Sequence, residues 1–123
     1  MWHSNEILDP SKNYKFNIYN KYTDKLAAYI EIKNGVYRAV KVDLEKYPIN
    51  LFGIDEDIVE ETRKNIIEHF LEGRVVPKNR QFLQETLESV GMCKWDLIKL
   101  MKLNRGMSCV DYFYVEVIED EQI

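Results

Sequence analysis

At 123 residues, close to half of them apolar and nearly a third charged, the chain is long enough for one domain with a genuine core and too apolar to be disordered. It has no apolar run near the ~20 residues that span a bilayer, no basic-then-apolar leader, and only two scattered cysteines, so it reads as a cytoplasmic chain with reduced thiols. The net charge of −4 is uneven: residues 74–105 carry seven basic and three acidic side chains, residues 106–123 five acidic and no basic ones.

Residues 1–13 are polar, contain Pro10 and read as a flexible lead-in to a single domain over 14–118, with an acidic tail at 119–123. Tyr14, Phe16 and Ile18 alternate with polar neighbours, as in a half-buried strand. Leu26, Ala28, Ile30 and Ile32 alternate again, and so do Val36, Arg38, Val40 and Val42, with Asn34-Gly35 between the two runs. Asn-Gly between alternating runs predicts a tight hairpin, because both turn residues must take positive φ. With the first strand joined through a Lys21–Lys25 turn, this gives a three-stranded antiparallel meander that needs helices over one face.

Residues 43–54 read as a loop, and a helix is expected from Asp55, with Asp55, Glu56 and Asp57 favouring its N-terminal dipole. Its apolar stripe is Ile58, Val59, Thr62, Ile66, Ile67 and Phe70, and Gly73 ends it. After an elbow at Val75-Val76-Pro77, a second helix is expected over 79–90, capped by Asn79 and closed by Gly91. Phe82, Leu83, Thr86, Leu87 and Val90 form its predicted buried face. A third helix runs about Lys94 to Leu103, with Trp95, Ile98 and Met101 on one side and Asn104-Arg105-Gly106 closing it. Ser108 to Asp111 is a weak capping-box pattern, and Tyr112 to Ile118 suits either a strand joining the sheet edge or a tail docking elsewhere. The fold class is therefore α+β: a three-stranded antiparallel meander, a layer of three helices, and a short C-terminal strand or turn.

No reaction centre emerges. His3, His69, Cys93 and Cys109 have neither H-x3-H nor CxxC spacing, so no metal or cofactor is implied. There is no G-x-S-x-G, H-R-D loop or phosphate-cradling glycine cluster, and the paired glutamates of the first helix read as solvated charges. Nucleic-acid binding through the basic segment 74–105 is the chemical alternative, with Lys94, Lys99, Lys102 and Arg105 near phosphates in an imitation of a helix-turn-helix. The third helix is too apolar to read bases, and an acidic tail neutralising the basic face within the molecule explains the same charges.

The run Arg74-x-x-Pro77-x-x-Arg80, the helix end Leu87-Glu88-Ser89-Val90-Gly91 and the segment from Asn104 to Val115 together resemble the region ahead of the kinase core in HipA-like serine/threonine kinases of Firmicutes. There, an arginine, a proline and a second arginine precede a helix ending in Leu-x-x-x-Gly, then a segment of the form Gly-Leu-Ser-x-x-Asp-x-Tyr-Trp. Asp111 and the aromatic pair Phe113 or Tyr114 stand at the matching places, and the resemblance extends over roughly residues 14–116. This chain lacks the several hundred residues of kinase core, so no catalytic residue carries over and the resemblance implies a non-enzymatic, regulatory partner of a HipA-like kinase in a toxin–antitoxin-type system. Split systems of that kind supply the analogy. The expected partner-binding residues are Arg74, Pro77, Arg80, Asp111, Tyr112 and Tyr114, with a scaffold role at the helix elbow as the alternative for Arg74, Pro77 and Arg80. A homodimer pairing its exposed tail strands is a further possibility for the C-terminus.

Overall fold

The computed structural model describes residues 7–9, 11–48, 51, 59–107 and 111–120. Four strands, β1 (Asn13–Asn20), β2 (Leu26–Lys33), β3 (Val36–Lys41) and β4 (Phe113–Asp120), form one antiparallel sheet in the order β3-β2-β1-β4. Among the described residues between β3 and β4 lie the helices α1 (Glu60–Glu72), α2 (Leu83–Ser89) and α3 (Leu97–Asn104). The fold is α+β with the expected meander, and the C-terminal aromatic run is a strand on the far side of β1 from β2.

Local turns set the meander. Lys33 pairs with Val36 across a two-residue loop in which Asn34 (φ 52°) and Gly35 (φ 80°) are both left-handed, the geometry that matches strand twist. Between β1 and β2, the Asn20 side chain accepts from the N–H groups of Tyr22 and Thr23, and the N–H of Asn20 donates to Lys25. The register shifts at Ile18/Tyr19, and the carbonyl of Ala27 in the bulged stretch accepts from both Val42 and Asp43 at 2.9 Å.

Alternation then decides the faces. Tyr14, Phe16 and Ile18 share the inner face with Ala28, Ile30, Ile32, Tyr37, Phe113 and Val115, all buried. The same core takes Ile67, Phe70 and Leu71 from α1, Leu87 from α2, and Leu97, Ile98, Leu100 and Met101 from α3. α1 packs beside β3 and α3 beside β4, so the helical layer bridges the two edges of the sheet. The outer face carries Lys15, Asn17, Tyr19, Tyr29, Glu31, Arg38, Tyr114 and Glu116, half-buried or exposed. Ile7 and Leu8, in the stretch expected to be a loose lead-in, are buried in the core instead.

The helices differ from expectation in detail. The acidic start expected at 55–57 lies outside the described residues. α1 buries Leu71, outside the expected stripe, whereas Val59 and Thr62 are exposed. α2 begins four residues later than the periodicity implied. The N–H of Arg80 donates to the carbonyl of Pro77, which places Asn79 inside a turn rather than at a helix cap. Its buried face narrows accordingly to Leu87 and half-buried Leu83, with Phe82 and Val90 exposed. Gly91 does close α2: at φ 80° it lets its own N–H reach Glu88 and that of Met92 reach Leu87, a Schellman ending. α3 starts at a true cap, Asp96, whose side chain accepts from the N–H of Lys99 at 3.1 Å. The capping-box pattern at 108–111 falls largely on residues outside the description. Among the described residues no helix is long and apolar enough to cross a membrane.

Candidate partner-binding surface

Two turns beyond α1 swing the chain inward, with the N–H of Arg74 bonded to Leu71 and that of Val75 to Glu72. Arg74 is consequently buried, at 5% exposure, and needs internal partners for its planar, permanently charged fork. Its Nε donates to the carbonyl of Gly106 at 2.7 Å, and Nη2 to Asp111 Oδ1 at 3.1 Å and the carbonyl of Phe113 at 2.8 Å. Nη1 meets Asp111 Oδ2, completing a two-pronged pair, and the Phe70 ring lies 5.5 Å below the guanidinium. The backbone is tied as well. Asn104 Nδ2 donates to the carbonyl of Arg74 at 2.9 Å, while the same side chain accepts from the N–H of Gly106. Arg74 thus clasps the end of α1, the turn after α3 and the start of β4 together.

That turn needs glycine at 106. Arg105 (φ 57°) and Gly106 (φ 60°) are left-handed, and the N–H of Gly106 returns to Met101. A Cβ on Gly106 would stand 2.6 Å from Cβ of Val115. The turn and β4 are held in this approach by the N–H of Val115 donating to the carbonyl of Arg105 at 2.7 Å, which also blunts part of the free edge of β4.

Tyrosines gather at the same end of β4. Tyr19 and Tyr114 are directly opposite in the sheet and stack with centroids 5.2 Å apart, and Arg105 lies 4.7 Å over the Tyr114 ring. Tyr114 donates its hydroxyl to Asp24 at 3.0 Å, and Tyr19 donates to Glu116 at 3.2 Å. Loss of hydration, reinforced by these carboxylates, raises the pKa of both phenols above the ordinary value. Tyr22 and Tyr112 form a second, tilted pair at 5.5 Å and are well exposed, at 77% and 59%. The N–H of Lys21 donates to the carbonyl of Tyr112 at 2.6 Å, fastening the β1–β2 turn to the start of β4.

Of the six residues expected to bind a partner, Pro77, Arg80 and Tyr112 are exposed, Tyr114 is half-buried, and Arg74 and Asp111 are bonded to each other. The elbow is braced from within by Trp95, whose Nε1 donates to the carbonyl of Val76 at 2.8 Å, with Lys78 Nζ 4.7 Å over the indole. Tyr19 and Tyr22 carry no distinguishing pattern in sequence, and Phe82 does not occupy the buried face that its spacing predicts.

The basic residues of the nucleic-acid alternative are all exposed but differently engaged. Lys102 pairs with Glu119 at 3.3 Å and Arg105 covers Tyr114, while Lys94 precedes α3 and Lys99 lies on its outward side. Asp96 caps the short helix that would have to enter a groove, and four of its eight residues are buried. Among the described residues no group of three or more His, Cys, Asp or Glu is placed to hold a metal ion. Comparison with protein-family models, curated proteins and solved structures gave no match.

Proposed function

We propose that this chain is a non-catalytic accessory protein that binds a HipA-like kinase and regulates it by surface contact. The observation that carries the reading is the Arg74–Asp111 pair. Two of the three stretches on which the resemblance rests lie 37 residues apart in the chain at these positions, yet they bond to each other. The pattern is coherent as one structural unit, which supports a shared domain rather than a chance match of short motifs. Within that unit the clasp positions, and its neighbours make the contact: exposed Pro77 and Arg80 on one side, exposed Tyr112 and half-buried Tyr114 on the other. Arginine and tyrosine are residue types that concentrate binding energy at protein interfaces.

The test is a titration of the chain into a full-length HipA-like kinase from the same genome, read by calorimetry. A complex of micromolar or better affinity that weakens on Arg80→Ala and Tyr112→Ala is expected, and no heat at micromolar concentrations refutes the proposal. The nucleic-acid alternative predicts binding that falls steeply with salt, and it draws less support because Glu119 and Tyr114 already occupy Lys102 and Arg105. A sizing column distinguishes the homodimer.

A further inference from the structure

Of the nine asparagines in the chain, Asn34 alone is followed by glycine. That pair forms the two-residue loop between β2 and β3, with Lys33, Asn34, Gly35 and Val36 all exposed to water. An asparagine can lose its side-chain amide to the backbone nitrogen that follows it, because the attack is intramolecular and closes a five-membered ring. The usual obstacle is the side chain of the next residue, which crowds that nitrogen. Glycine has none, and nothing lies within 4 Å of the place where a Cβ on Gly35 would stand.

The N–H of Asn34 donates to Asn13 Oδ1 at 2.9 Å, but among the described residues no hydrogen bond engages the Asn34 carboxamide or the N–H of Gly35. Other asparagines differ. The amides of Asn17 and Asn104 donate to Glu116 and to the carbonyl of Arg74, and the Asn20 side chain accepts from Tyr22. The turn itself acts as a brake, since Asn34 and Gly35 are held left-handed at φ 52° and 80°. Attack occurs as β3, the outermost strand on its side of the sheet, opens locally.

We infer that Asn34 is a site of spontaneous deamidation that ages the β2–β3 hairpin. A bond forms between the Gly35 nitrogen and Asn34 Cγ, the Cγ–Nδ2 bond breaks, and ammonia leaves with the proton that the Gly35 nitrogen gives up. Water then opens the cyclic imide on one side or the other. Cleavage of the new N–Cγ bond leaves aspartate, which suits the same turn. Cleavage at the main-chain carbonyl leaves isoaspartate, whose extra methylene lies in the backbone. A two-residue loop has no slack for it, so the pairing of Lys33 with Val36 and the setting of β3 are disturbed. β3 carries Tyr37, whose hydroxyl donates to Glu68 of α1 at 2.9 Å, so the damage reaches the helical layer. Water is the only co-reactant, and no partner is involved.

The full chain is held in mildly alkaline buffer at physiological temperature, beside its Asn34→Gly and Asn34→Asp variants. Samples taken over weeks are followed by ion exchange, peptide mapping and thermal unfolding. Wild type is expected to accumulate species with one further negative charge and isoaspartate at position 34, faster as pH rises. Asn34→Gly keeps a turn-forming pair without the amide and is expected to lose this conversion. Fractions carrying isoaspartate are expected to melt about 5 °C lower, whereas Asn34→Asp, with the charge but no added methylene, melts with wild type. If position 34 stays intact in the folded chain while urea-unfolded chain converts, the site is overturned. So it is if Asn34→Gly acidifies as fast, or if the conversion maps to another asparagine. Isoaspartate fractions that melt with wild type overturn the consequence for the hairpin.

Discussion

Removing Asp111 tests whether the clasp is the scaffold of this end of the molecule. Asp111→Ala leaves the Arg74 guanidinium, whose side chain is only 4% exposed, with the carbonyls of Gly106 and Phe113 but no counter-charge. Breaking a buried pair in this way costs about 3–5 kcal/mol, a large share of the roughly 5–15 kcal/mol that holds a domain folded. Arg74→Ala is the milder change. The Asp111 side chain is 30% exposed and regains water, so the loss is two stranded carbonyls and a void, about 2–4 kcal/mol. Arg74→Lys keeps the charge but replaces a fork bonded to three groups with a point donor, and is expected to lose at least about 1.5 kcal/mol. Urea unfolding followed by circular dichroism gives these values at constant m, and the double variant closes a cycle whose coupling is expected to exceed about 2 kcal/mol. An Asp111→Ala cost below about 1 kcal/mol, or additive single variants, refutes the reasoning and returns Arg74 to the list of residues free to meet a partner.

Gly106→Ala combines a Cβ clash with Val115 at 2.6 Å and a left-handed backbone, so it is expected to lose about 2–4 kcal/mol in the same unfolding assay. Asp96→Ala deletes the side-chain cap on the N–H of Lys99 and is expected to lose about 1 kcal/mol, most of it restored by Asp96→Asn. The pKa of Tyr19 and Tyr114 is raised on folding by lost hydration and by Glu116 and Asp24. The stability this represents is therefore complete below the unfolded value near 10 and disappears as pH rises through the folded values. Phenolate absorbance should appear later in the folded than in the unfolded chain, with Tyr19→Phe and Tyr114→Phe each removing a delayed transition. Asp43 is lowered by the N–H groups of Glu45 and Lys46, so its carboxyl resonance should titrate below that of an unfolded aspartate, its contribution being lost as pH falls through the folded value.

What lies within a few residues was decided by the sequence alone. Alternation assigned the inner faces of β1 and β2, whereas in β3 it picked out Val36, Arg38 and Val40, which lie on the outer face while Tyr37 and Ala39 face the core. Asn34-Gly35 set the β2–β3 hairpin because a two-residue turn demands positive φ twice, and Gly91 marked the end of α2 for the same local reason. Other features depended on contacts between distant stretches. The run 112–118 had the composition of a strand or a docked tail, and only the vacant side of β1, about a hundred positions earlier, made it a strand. For Arg74 a partner contact and a scaffold role both fit the sequence, and its pairing with Asp111 is not legible there because nothing in either neighbourhood announces the other. Phe82 fitted an apolar period that the turn at Pro77 interrupts, so its ring faces water rather than the core. Periodicity and turn chemistry act through neighbouring dihedral angles and can be read in a short window, whereas a buried ion pair or a strand's partner exists only after the chain has closed on itself.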